Sequence, residues 1–218
     1  VRRFFVTGTD TGVGKTQASA ALLSLMVDAG LSPFAFKPME SGGTGDAETL
    51  RRAAGGHQRL EEVCLYRLKA PLAPAIAARR EGRRVDVRRI VRAFERFGPG
   101  PGVVEGAGGL FVPLAPGFDV IDLIEATRLP VVLVARAGLG TINHTTLSLQ
   151  ALEARHLPVA AVVLSRAVRG VDPSIPDNRP ELERRFPHVR FLGPVPFRPH
   201  EETRRRAFRA ALAPLLEA

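Results

Sequence analysis

Short apolar runs, each ended by glycine or proline, recur along the chain. Phe4–Thr7 reads as a short buried strand, and the glycine loop Gly8–Thr16 follows it. Gln17–Ala29, rich in Ala and Leu, reads as a helix that stops at Gly30. Residues 33–37, 103–105, 131–135, 159–164 and 189–192 read as five further strands. A helix is expected from about Thr141 to Arg155, and Asp46 opens another. Strands of this kind alternating with helices predict an α/β fold: a parallel sheet with helices on both faces, in one domain over residues 1–218. Ligands of such sheets bind at the carboxyl ends of the strands, where the glycine-rich segments of this chain lie.

The arginine-rich stretch 79–97 carries Val87, Ile90, Val91, Phe94 and Phe97 near helical spacing, with Arg88, Arg89, Arg92 and Arg96 between them. That is a helix with a solvated basic face. The cluster Arg204–Arg206 is read the same way.

Composition changes the picture in two places. The 218 residues carry 31 basic and 22 acidic side chains, a net charge of +9, so an anionic partner has to be considered. No stacking aromatics interleave with the arginines, which argues against nucleic acid. Only three of the basic residues are lysines, Lys15, Lys37 and Lys69, and two of them stand beside glycine-rich loops. A single cysteine, Cys64, excludes an internal disulfide and a thiolate zinc cluster and reads as a small core residue. No apolar run reaches the roughly 20 residues of a membrane span. The first residues reach a glycine loop too soon for a secretory leader, so the expectation is a soluble, cytoplasmic protein.

The strongest chemical signal is Gly8-Thr9-Asp10-Thr11-Gly12-Val13-Gly14-Lys15-Thr16 between a strand and a helix. The strict pattern G-x-x-x-x-G-K-[ST] would place its first glycine at Thr9, and here the glycine sits one residue earlier. The ending Gly-x-Gly-Lys-Thr is intact. Glycines let backbone N–H groups approach phosphate oxygens, and the helix start adds favourable partial charge. Lys15 can reach the β- and γ-phosphates and the Thr16 hydroxyl can bind Mg²⁺. The chain is therefore expected to use a nucleoside triphosphate. Glu105 ends its strand ahead of glycines, the place where P-loop proteins commonly hold an acid near the metal.

Five blocks resemble dethiobiotin synthetases: Thr7–Thr16, Lys37-Pro38-Met39-Glu40-Ser41-Gly42, Val104–Gly109, Gly138–His144 and Leu192–Phe197. They occur in family order over residues 4 to about 197. The resemblance implies a P-loop NTPase-like fold and an ATP- and Mg²⁺-dependent carboxylase-cyclase of biotin synthesis, joining CO2 to 7,8-diaminononanoate through a phosphorylated carbamate. It implies Lys37 and Lys15 as catalytic lysines. Thr11, Ser41, Gly140, Thr141, Ile142 and Asn143 would bind substrate, the last four from the other subunit of a homodimer. Gly12, Val13, Gly14, Lys15, Thr16, Gln17, Asp46, Glu105, Gly106, Ala107, Gly108, Ser165 and Pro196 would bind the nucleotide or its metal, with Thr16, Asp46 and Glu105 as metal ligands. Asp46 can alternatively be the N-cap of its helix, and Glu40 is a lower-ranked competitor for the metal. Asn143 can equally be a cap, and none of the five histidines is assigned a catalytic role.

The chain departs from the family at Ser165, where an Asn typically reads the adenine edge. A serine cannot make paired amide contacts to a base, so weak discrimination among nucleoside triphosphates is expected. Among competing readings, a partitioning or division-site switch ATPase would carry a signature lysine where Asp10 stands and a glycine where Thr11 stands. An amidating ligase with a glutaminase domain would need a longer chain. A nucleic-acid binder would show salt-sensitive binding without nucleotide turnover.

Overall fold

A computed structural model describes residues 2–43 and 45–217. Six strands form one parallel sheet: β1 (Arg3–Gly8), β2 (Phe34–Phe36), β5 (Gly102–Glu105), β8 (Val131–Arg136), β9 (Val159–Ser165) and β10 (Phe191–Val195), in the order β10-β9-β8-β1-β5-β2. They are the six expected strands. Two short pairs lie outside the sheet: β3 (Met39–Ser41) parallel to β4 (Tyr66–Leu68), and β6 (Pro113–Ala115) antiparallel to β7 (Phe118–Asp119). Strands of two or three residues are too short to show a period-two pattern.

Side chains alternate across the sheet, and this splits the core into two layers. Phe4 and Val6 face α1 (Lys15–Asp28), α2 (Gly45–Ala53) and α9 (Glu201–Leu212). Phe5 faces the opposite layer, built with α5 (Val87–Glu95), α6 (Val120–Thr127), α7 (Thr141–Ala154) and α8 (Ile175–Arg185). The short helices α3 (Leu60–Val63) and α4 (Pro74–Arg80) complete the set. Helices on both faces agree with the expectation. No helix of the described residues is long and apolar enough to cross a membrane.

Two elements differ from their sequence-based bounds. The stretch 79–97 is not one helix: α4 ends at Arg80, Gly82 turns the chain with φ 64°, and Asp86 caps α5 by accepting the Arg89 N–H at 3.1 Å. Ile90 and Phe94 of α5 are buried, while Arg88, Arg89, Arg92 and Arg96 are exposed, as the pattern requires. Strand β10 starts two residues late because a turn, closed by the Val189 N–H on the Phe186 carbonyl at 3.0 Å, takes up Val189.

Candidate functional site

The sheet divides at β1: the chain first fills β2 at one edge and β5 between β2 and β1, then crosses to β8, β9 and β10 on the other side. A crevice opens at such a point, beyond the strands' carboxyl ends. Three candidate groups are delivered there. β1 leads into the glycine loop, β2 ends one residue before Lys37, and β5 ends on Glu105, which lies opposite Val6 of β1. The pairing of β3 with β4 brings Glu40 and Ser41 to the same side.

The glycine loop is tight. Gly14 adopts φ 105°, and a side chain there would press on Phe208 at 3.0 Å and Ser165 Oγ at 3.3 Å, so only glycine fits. Lys15 donates its ammonium to the Asp10 carbonyl at 2.9 Å, and the Asp10 carboxylate accepts the Thr11 N–H at 2.7 Å and Arg136 Nη2 at 2.9 Å. Burial lowers the Lys15 pKa; Glu105, Asp46 and Asp10 only partly offset that.

Lys37 is buried at 4% exposure, and its ammonium lies 2.6 Å from Glu105 Oε1 and 3.2 Å from Asp46 Oδ2. Burial lowers its pKa, but the two carboxylates outweigh burial and raise it above the ordinary lysine value. Thr16 Oγ1 donates to the same Glu105 oxygen at 3.0 Å. A charged lysine, a threonine hydroxyl and two carboxylates therefore meet beside the phosphate loop.

Glu40 has a different role from the one considered in the sequence. Its carboxylate accepts the N–H groups of Asp46 at 2.8 Å and Ala47 at 3.2 Å, so Glu40 caps α2. Burial raises its pKa despite these bonds. Asp46 is not the cap, and its side chain is free to engage Lys37.

A cavity of about 520 Å³ unites most of the expected residues: Thr11, Gly12, Gly14, Lys15, Thr16 and Gln17 on one wall, Lys37, Ser41 and Asp46 on another, with Ala107 and Gly108. Its remaining wall, Pro71–Pro74, was not anticipated, because a proline-rich turn without titratable side chains gives no chemical signal; Gly42 packs directly on Pro71. Glu105 lies at the base of the site, 1% exposed. The Val13 side chain points into the core, and Gly106 is held under the loop by its N–H on the Val6 carbonyl at 2.9 Å. Ser165 is buried behind Gly14 and borders a second cavity of about 480 Å³ with Thr11, Gly12 and Arg136. Pro196 and the α7 start, Gly140–Asn143, do not line the first cavity of their own chain.

The donor set suits magnesium. Among the described residues no three His, Cys, Asp and Glu side chains cluster as a metal site. Mg²⁺ needs no such cluster, since it takes few protein oxygens and completes its shell with phosphate and water. Glu105 Oε2 is buried without a partner, an unused hard oxygen beside the hydroxyl of Thr16. Buried polar atoms of this kind normally have partners, and an ion or ordered solvent is the usual explanation.

Parallel sheet, glycine loop and buried lysines define a P-loop nucleotide-binding protein of the α/β class. The chain matches the family described as an AAA domain over residues 2–204. It is 48% identical over 219 residues, 98% of each chain, to the ATP-dependent dethiobiotin synthetase BioD of Anaeromyxobacter dehalogenans. It is 36% identical to the ATP-dependent dethiobiotin synthetase BioD of Bacillus thuringiensis, over 95% of this chain and 88% of that one. The chain belongs to the ATP-dependent dethiobiotin synthetase family and is an ATP-dependent enzyme of the ligase type. Among solved structures it resembles the MinC:MinD cell division protein complex of Aquifex aeolicus, with TM-score 0.58 and 14% identity over 100% of this chain and 95% of that one. That likeness shows a shared fold alone, and the switch-ATPase reading is not favoured.

Proposed function

We propose that this protein converts 7,8-diaminononanoate, CO2 and ATP to dethiobiotin, ADP and phosphate in biotin biosynthesis. The names of its relatives support the overall reaction. The observation that carries the chemistry is the buried Lys37 ammonium, in the same cavity as Lys15 of the phosphate loop.

The steps balance as follows. One amine of the substrate adds to CO2, forming an N–C bond and releasing a proton. The resulting carbamate oxygen attacks the γ-phosphorus of ATP, and ADP leaves. The second amine attacks the carbamoyl carbon and gives up a proton, the C–O bond breaks, and phosphate departs as the cyclic urea closes. The middle step brings two anions together, so positioning and charge neutralisation dominate. Lys37 and Lys15 supply the positive charge from the protein. A neighbouring cation also disfavours protonation of the attacking amine, whose pKa in water is about 10. Ser41 and Thr11, on the cavity wall, bind the substrate through their hydroxyls.

Thr16, Asp46 and Glu105 would hold a magnesium ion, which would neutralise charge on the β- and γ-phosphates. Backbone groups of Gly12–Gln17 and of Gly106–Gly108 bind phosphate, while Ser165 and Pro196 lie toward the base. The substrate carboxylate is held at Gly140–Asn143 of a second copy, which makes the working unit a homodimer. Three facts support this arrangement. The first turn of a helix leaves N–H groups free for an anion. Gly140–Asn143 lie off their own chain's cavity. Leu139 and Leu147 beside them are 79% and 57% exposed.

The test uses radiolabelled bicarbonate. Acid-stable label, with one ADP per label, is expected only when diaminononanoate, ATP and Mg²⁺ are all present. ADP release without label incorporation would refute the assignment.

A further inference from the structure

The three side chains assigned above to magnesium do not stand empty-handed. Lys37 Nζ lies 2.6 Å from Glu105 Oε1 and 3.2 Å from Asp46 Oδ2, and Thr16 Oγ1 lies 3.0 Å from that same Glu105 oxygen. An ammonium therefore sits on one oxygen of each carboxylate assigned to the divalent cation. The two cannot share it. Like charges at contact distance in a poorly solvated site repel strongly, and an ammonium and a metal compete for the same carboxylate lone pairs. The lysine can leave. Its backbone is fixed by the Lys37 N–H on the Val63 carbonyl at 2.8 Å, but its charge rides on a flexible four-carbon stem. An approach for a cation also exists, since the Asp46 side chain is 49% exposed. Glu105 Oε2, buried and unpartnered, is a further oxygen that Lys37 leaves unused.

We infer that Lys37 is the placeholder for the divalent ion in the nucleotide-free protein, and that arrival of the metal–nucleotide displaces its ammonium from Glu105 and Asp46 toward the reacting groups. This rests on the assignment of Thr16, Asp46 and Glu105 to the metal. Two consequences follow. The two carboxylates keep a cationic partner while the site waits, which holds buried Glu105 in place. The catalytic ammonium is released only after the metal–nucleotide is bound, so the charge reaches the reacting groups in the right order. Metal affinity without nucleotide must then be weak, because apparent affinity falls in proportion to the fraction of protein with the site open.

The test measures Mn²⁺ binding to nucleotide-free protein by the loss of the free-ion electron paramagnetic resonance signal. If Lys37 keeps the site open in about a tenth of molecules or fewer, Lys37→Met should bind Mn²⁺ about tenfold tighter or more. Lys15→Met removes a charge from the same cavity without vacating the oxygens, and should gain much less. Equal gains in both variants, or none in Lys37→Met, would overturn the exchange. A second measurement needs no variant. With three lysines in the chain, wild-type protein labelled at the lysine ε-carbon gives three signals. The Lys37 signal should move on addition of Mg²⁺ with ADP and stay put with ADP alone; an unmoved signal with Mg²⁺-ADP bound overturns the exchange. Glu105→Gln with Mn²⁺-ADP separates the two levels. If that variant binds Mn²⁺-ADP as tightly as wild type, the metal assignment falls and the exchange with it. If it binds weakly while Lys37→Met matches Lys15→Met, only the exchange falls.

Discussion

Inside the cavity, Lys15 and Lys37 are 7% and 4% exposed, and Lys37 is matched by two carboxylates. On the outer faces of α8 and α9, arginines pair with carboxylates one helical turn away: Arg184 and Arg185 with Glu181, and Arg205 with Glu201. The surface pairs hold Glu181 down to about 2, yet they are open to water and contribute little to stability. The Lys37–Glu105 pair is costly to break, because the charge left behind is buried and has no solvent to turn to. The net charge of +9 thus describes the surface, while the two buried lysines are those on which the proposed chemistry rests.

The comparison is broken most sharply by Lys37→Ala. Turnover should fall roughly 10²-fold or more, the scale of losing one charge-stabilising group. Nucleotide binding, measured by calorimetry, should survive through the phosphate loop. Near-normal turnover would mean that the buried lysine is structural only.

Alkali probes the same pair in the wild-type protein. The folded pKa of Lys37 is raised, so its contribution to stability is complete below the unfolded lysine value of about 10.4 and is lost as pH rises through the higher folded value. Lys37→Met should already lack that contribution, about 3 kcal/mol on the scale of a broken buried pair. The melting temperatures of the two proteins should converge above pH 10. Parallel melting curves across that range would count against a charged Lys37.

How much of this was legible depended on whether a residue's role was local. The six sheet strands were legible as short β-branched or apolar runs, and the phosphate loop by its spacing. Lys37 stood out as a rare lysine at a strand end. Glu40 could not be read: it caps α2 from six and seven residues upstream, beyond the one-to-three-residue spacing by which a cap is recognised in a sequence. Pro71–Pro74 escaped because a turn without titratable side chains gives no chemical signal. The break between α4 and α5 was visible only in hindsight, since Gly82 and Asp86 had to outweigh a continuous run of helix-compatible residues.

A smaller effect is expected at the base. Ser165 offers one hydroxyl, and it is wedged behind Gly14. Turnover with CTP or GTP should lie within about tenfold of that with ATP at equal concentration, since paired polar contacts are what enforce strong base selection. A strong ATP preference would show that other groups read the base. The smallest effect is expected on the outer surface: Glu181→Gln should leave turnover unchanged and the melting temperature within about 2 °C. A larger change would erase the distinction between interior and surface charge.

The central claim is that a carbamate oxygen takes the γ-phosphoryl group of ATP. Turnover with ¹⁸O-labelled CO2, quenched before exchange with water, followed by mass spectrometry of the released phosphate, tests it directly. One ¹⁸O atom should be transferred to each phosphate, because the C–O bond breaks at ring closure. Phosphate free of label, formed alongside dethiobiotin, would contradict it.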